Sequence, residues 1–195
     1  MIIKSFELKK IANFEYKLFL LYGQNEGLKN EIIKKHFIEK FKSDIFRYDE
    51  KEILDNRSNF FDGIFSKSFF EEKKIFIISR VTEKFNDIIE QIIEKEVKDI
   101  TIILNSTILD KKSKLRKLFE KNKDVICIPF YADNYQSLSF ILINFFKKNK
   151  IPVSQEILNI LVDRANGDRQ SLKNEMNKIE SFKVYFVFST NKHDA

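Results

Sequence analysis

The chain has almost nothing with which to close a disulfide or hold a metal. Its one cysteine, Cys127, excludes an internal disulfide, and with only His36 and His193 beside it cannot assemble a zinc site. Cys127 sits in the apolar run Val125-Ile126-Cys127-Ile128 and is expected in the core. No span reaches the roughly 18 apolar residues of a membrane helix. The opening Met1-Ile2-Ile3-Lys4 lacks the basic segment and long apolar stretch of a signal peptide. The expected location is cytoplasmic, with no membrane association. Arginine is scarce: 6 of the 35 basic residues, against 29 lysines. With four glycines, two prolines and an abundance of Ile, Asn and Phe, this is the bias of an AT-rich coding sequence. The net charge of +6 is therefore weak evidence for nucleic-acid binding, and a solvated lysine coat accounts for it as well.

What is present is a regular alternation. At 195 residues, 43% hydrophobic, the chain can bury a real core. Short apolar runs at 17–22, 44–48, 74–81, 100–104 and 125–128 predict strands. Between them, helical spacing runs over 28–41, from the N-cap Asp49 onward (Ile53, Leu54, Phe60, Phe61, Ile64, Phe65), through Phe85, Ile88, Ile89, Ile92 and Ile93, and over 111–121. Five apolar strands separated by helices predict an α/β fold with a doubly wound, mostly parallel sheet. After Pro129 three helical segments follow one another at about 134–148, 154–165 and 168–182, broken at Ile151-Pro152 and Asn166-Gly167. The expected domains are 1–132, a small three-helix domain 133–182, and an atypical tail 183–195 in which Val184–Phe188 suits a strand but has no obvious neighbour.

On a doubly wound sheet, ligands bind at the carboxyl ends of the strands, beside a helix N-terminus. The segment Gly23-Gln24-Asn25-Glu26-Gly27-Leu28-Lys29-Asn30 occupies that place and resembles a phosphate-binding loop, G-x-x-x-x-G-K-[ST]. It misses in every respect. The glycines are one residue too close, Leu28 separates Gly27 from Lys29, Asn30 has no hydroxyl, and Glu26 puts a negative charge where a phosphate belongs. The third strand ends Ile78-Ser79-Arg80 without the carboxylate that would hold magnesium. Gly23, Gly27 and Lys29 are thus read as a degenerate phosphate loop. No Ser/His/Asp set, nucleophile motif or spaced carboxylate pair replaces it, so neither catalytic residue, metal nor cofactor is expected.

Four runs are similar to the delta subunit of the bacterial DNA polymerase III clamp loader. They are Leu20-Leu21-Tyr22-Gly23 with Glu26; Phe65-Ser66-Lys67-Ser68-Phe69-Phe70; Leu109-Asp110-Lys111-Lys112-Ser113-Lys114-Leu115-Arg116-Lys117; and Gly167-Asp168-Arg169-Gln170-Ser171-Leu172-Lys173-Asn174-Glu175. The resemblance covers about residues 1–182. It implies a RecA-like AAA+ domain with a degenerate nucleotide site, then a helical lid, with the family's third, collar domain absent. It also implies a role in DNA replication: a non-catalytic subunit of the DNA-directed DNA polymerase (nucleotidyltransferase) holoenzyme that binds and opens the β sliding clamp. Its partners would be that clamp, delta prime and the ATPase subunits, with primer-template DNA met indirectly.

By the same resemblance the clamp-binding residues are Ser68, Phe69 and Phe70. The family pair is usually aliphatic then aromatic, so Phe69 departs from it. Two rings flanked by charge, Lys67 on one side and Glu71-Glu72-Lys73-Lys74 on the other, have the make-up of an interface anchor, or else pack inward. In the basic segment, Lys111, Lys112, Lys114, Arg116 and Lys117 either approach DNA phosphates or an acidic partner, or are solvated outside the Leu115/Leu118/Phe119 stripe. Gly167-Asp168-Arg169 stops one helix and caps the next. A divergent P-loop NTPase and a basic nucleic-acid-binding module are the alternatives.

Overall fold

The computed structural model describes residues 1–11, 17–40, 44–66, 73–95 and 100–190, with side chains for all but 9–11 and 183–190. Five strands form one parallel sheet: β1 Leu18–Tyr22, β2 Asp44–Asp49, β3 Lys74–Val81, β4 Ile100–Ser106 and β5 Val125–Pro129. Their order is β2-β3-β4-β1-β5, so the chain crosses over the sheet between β1 and β2 and again between β4 and β5. All five residues of β1 are buried, as are the apolar residues of β3 and β4, because helices cover both faces. β2, at the sheet edge, is half exposed along its length.

Among the described residues, eight α-helices follow from local signals. α1 (Glu26–Ile33) runs into one π-helical turn, Lys34–Ile38, that delivers Phe37 edge-on against Phe19 at 4.9 Å. Asp49 and Glu52 form a capping box at the start of α2 (Glu50–Asp55). The long helix expected after Asp49 is broken at Asn56, whose side chain caps a separate helix, α3 (Arg57–Phe65). α4 (Asn86–Glu94) buries Ile88, Ile89 and Ile92, each contributing about 1.5–3 kcal/mol on transfer from water. The basic helix α5 (Lys114–Lys121) starts only after Ser113, which caps it, and seats Leu115 and Phe119 in the same core as Cys127. Burial pushes the Cys127 thiol up to about 12, so it is an inert core group.

α6 (Tyr135–Asn149), α7 (Gln155–Ala165) and α8 (Arg169–Thr190) follow, packed around Leu138, Leu142, Phe146, Leu158, Leu161, Val162, Ala165 and Leu172. Lys150 and Asn166 take left-handed C-cap conformations and Gly167 (φ +77°) completes the second stop. Where Val184–Phe188 suits a strand, the backbone continues α8 to Thr190. Extending an existing helix gains a hydrogen bond per residue, whereas a strand with no neighbour leaves its backbone groups unpaired.

The chain divides into two compact units. The first comprises Met1–Gln24 and Lys29–Tyr131; the second comprises Asn25–Leu28 and Ala132–Ala195. The four-residue segment at the start of α1 therefore groups with the helical unit. Among the described residues no helix is long and apolar enough to cross a membrane.

Candidate functional site

β1 delivers the chain to Gly23 at its carboxyl end, where the backbone turns sharply. Gly23 has φ +121°, and an added Cβ would lie 2.1 Å from the Phe130 carbonyl oxygen. The Gly23 N–H donates to Thr107 O at 2.8 Å, and Phe130 N–H donates to Tyr22 O at 2.7 Å. The glycine is thus required by a crowded backbone crossing.

Lys29 projects from α1 into the first unit and is fully buried. Its ammonium donates to the Ser106 carbonyl at 2.6 Å, and the Ser106 hydroxyl donates to Val81 O at 2.6 Å. Lysine and serine together staple the carboxyl ends of β3 and β4. A lysine held in this way is not presented to a phosphate.

β3 ends irregularly. Its pairing with β4 slips between Ser79 and Val81, and Arg80 sits at φ +58° with its guanidinium on Asp49. Glu50 is the buried carboxylate nearest this strand end, and it is already engaged: it accepts from Thr82 N–H at 2.7 Å and from the Thr82 hydroxyl. It closes a turn instead of facing an open position for a cation. Among the described residues no cluster of three His, Cys, Asp or Glu could hold a metal ion.

Gly27 belongs to the second unit. A Cβ there would lie 2.9 Å from Gln170 N and 3.1 Å from Arg169 Cβ, so glycine permits the first turn of α8 to approach. Asn25 is buried; its Oδ1 accepts the Leu28 N–H at 3.0 Å and its Nδ2 donates to Asp133 Oδ2 at 2.8 Å. Arg169 grips the same carboxylate with two bonds of 2.7 Å, Nε to Oδ2 and Nη2 to Oδ1, and the Ser137 hydroxyl adds a fourth at 2.8 Å. Burial opposes ionisation of Asp133, but the bonds from Arg169, Asn25 and Ser137 outweigh it and hold the carboxyl below its ordinary range. Asp168 caps α8 by accepting from Ser171 and Gln170.

The basic segment separates into two populations. Lys111, Lys112, Lys114 and Lys117 are exposed. Arg116 turns inward: Nε donates to Glu120 at 2.7 Å, Nη1 to Leu109 O at 3.2 Å, and the guanidinium lies 4.9 Å from the Tyr22 ring centre. Burial, with the Cys127 and Glu120 charges, raises the Tyr22 hydroxyl to about 12 against the opposing pull of Arg116. Arg116 therefore does not stand with the lysines. Lys114 and Lys117, with Lys121, which the sequence reading passed over, line a shallow groove of about 500 Å³ against Asn86 and Glu90 of α4. Ser68, Phe69 and Phe70 lie outside the described residues. Phe65 and Phe61, just before them, stack in parallel at 5.7 Å with the Lys95 ammonium 4.4 Å from the Phe65 ring.

No protein-family model and no curated protein sequence matches the chain. Solved structures do match it. The Bacillus subtilis DNA clamp loader delta protein YqeN superposes with a TM-score of 0.57 at 19% identity, over 91% of this chain and 57% of that one. The Thermotoga maritima RuvB Holliday junction branch migration motor gives 0.60 at 11% identity, over 91% and 59%. Domain III of the Thermotoga maritima replication initiation protein DnaA gives 0.52 at 12%, over 93% and 83%. The fold is RecA-like AAA+. Within that AAA+ frame the chain spans less than two thirds of the clamp-loader and RuvB chains it resembles. The sequence resemblance and the fold comparison meet on the delta protein.

Proposed function

We propose that this chain works in DNA replication as a clamp-loader delta subunit, binding the β sliding clamp and favouring its opened form while carrying out no nucleotide chemistry itself. The observation that carries the reading is Lys29. The lysine nearest to a phosphate-loop position is fully buried and bonded to the Ser106 carbonyl, stapling two strand ends. Similarity in fold to a clamp-loader delta protein, and the four sequence runs that resemble that family, support the β sliding clamp as the partner on this reading. On this reading Ser68, Phe69 and Phe70 are the clamp contact, and delta prime, the ATPase subunits and, indirectly, primer-template DNA are the remaining partners. Lys114 and Lys117 in their groove are the DNA-facing side chains of the basic segment.

Two aromatic anchors, each contributing about 1.5–3 kcal/mol when buried in a partner pocket, would dominate such an interface. Immobilised β clamp should retain the wild-type chain, and Phe69→Ala with Phe70→Ala should weaken retention at least ~100-fold. Undiminished binding by the double variant would remove the site assignment. Saturable, magnesium-dependent ATP binding by the same protein would instead favour a divergent P-loop NTPase.

A further inference from the structure

Four donors in the second unit converge on two oxygens. The Arg169 fork, the Asn25 amide and the Ser137 hydroxyl all reach the Asp133 carboxylate at 2.7–2.8 Å. This is the donor set that proteins use for a phosphoryl group: a planar guanidinium fork giving two parallel bonds, completed by neutral N–H and O–H groups. The cluster is enclosed, with the Asp133 and Arg169 side chains 6% and 15% exposed and Asn25 5% exposed. Asn25 also links the carboxylate to the backbone of α1, because its other side-chain atom accepts the Leu28 N–H. Gly27 completes the fit by leaving room for Gln170 N.

We propose that the second unit contains an oxyanion cradle already filled by the chain's own Asp133, and that this internal anion, in place of any bound phosphate, holds Asn25–Leu28 on the helical unit. The ligand class the cradle would otherwise take is an inorganic or terminal phosphoryl group. Its filling by a carboxylate makes the arrangement permanent and independent of nucleotide. Asp133 is thus a positioning residue for the first turn of α1. The inference needs no clamp and stands apart from the clamp-binding reading.

Amide hydrogen exchange on the full 195-residue chain tests it, with inorganic phosphate and pyrophosphate as probes. Asp133→Ala should accelerate exchange at Leu28, whose N–H donates to Asn25 Oδ1, about tenfold or more, and millimolar pyrophosphate or phosphate should restore protection by occupying the emptied cradle. Wild type should show no response to either anion. Arg169→Ala should lose the same protection and gain nothing from the anions. Unchanged exchange in Asp133→Ala, failure of both anions to rescue it, or rescue of Arg169→Ala would each overturn the proposal. Should Asp133→Ala fail to fold, Asp133→Asn keeps the shape and removes the charge. Protection at Leu28 equal to wild type in that variant would equally overturn it.

Discussion

Each unit encloses a basic head group, and each closes it differently. In the first, the Lys29 ammonium donates to a backbone carbonyl at the end of β4. In the second, the Arg169 guanidinium meets a full carboxylate through two parallel bonds. The difference is one of stakes. A carbonyl is neutral whether or not its donor is present, but a buried carboxylate without its cation is an uncompensated charge. The two units should therefore respond unequally to the loss of their basic residues.

Arg169→Ala should have the larger effect. It leaves Asp133 enclosed with only Asn25 and Ser137 as partners, a loss of about 3–5 kcal/mol for a broken buried pair. Urea denaturation monitored by circular dichroism should register a lower midpoint. The double variant Arg169→Met with Asp133→Leu should recover much of the loss, since removing both charges removes the penalty. If the single variant were as stable as wild type, the contrast between the units would collapse.

Lys29→Met is the matched experiment in the sheet unit. Methionine fills nearly the same volume and withdraws the donor from Ser106 O, and that unsatisfied buried carbonyl alone costs about 1–3 kcal/mol. Measured beside Arg169→Ala, it should fall clearly below it. On the proposed function, clamp binding should persist, because Lys29 is remote in sequence from Ser68, Phe69 and Phe70. A loss of stability exceeding that of Arg169→Ala would reverse the ranking.

The legibility of the two units in the sequence differs for the same physical reason. Apolar periodicity located all five strands and the Ile88/Ile89/Ile92 face of α4, because burial imposes its period on contiguous residues. The misfit of Gly23, Gly27 and Lys29 to a phosphate loop was also visible from spacing alone. Their actual roles were not, because Phe130, Gln170 and Ser106, which explain them, lie far along the chain. Asp133 and Arg169 are 36 residues apart, and no period connects a loop aspartate to a helix-start arginine. Arg116 was grouped with its neighbouring lysines because a charge run does not reveal that one member turns inward to Glu120 and the Tyr22 ring. The break at Asn56 was the most recoverable omission, since asparagine three residues before Asn59 is a helix-cap signal within a long apolar pattern.

The smallest expected effect is acidic. Asp133 titrates below its ordinary value when folded, held there by Arg169, Asn25 and Ser137 against the cost of burial. An unfolded aspartate titrates near 3.9, so the unfolded chain takes up this proton first as pH falls. The contribution of Asp133 to stability is therefore complete above roughly pH 5 and is lost as pH drops through 3.9 toward the lower folded value. Arg169 remains charged throughout and cannot offset the loss. Asp168, lowered chiefly by its bond from Ser171, contributes to the same acid limb, so wild type alone would not isolate the latch. Asp133→Asn does. Its urea midpoint should be lower than wild type at pH 7, and the gap should narrow steadily between pH 5 and pH 3, because wild type loses an advantage the variant never had. A gap that stayed constant over that range would mean the Asp133 charge contributes nothing to the second unit, and the distinction between a carbonyl-held lysine and a carboxylate-held arginine would have no thermodynamic content.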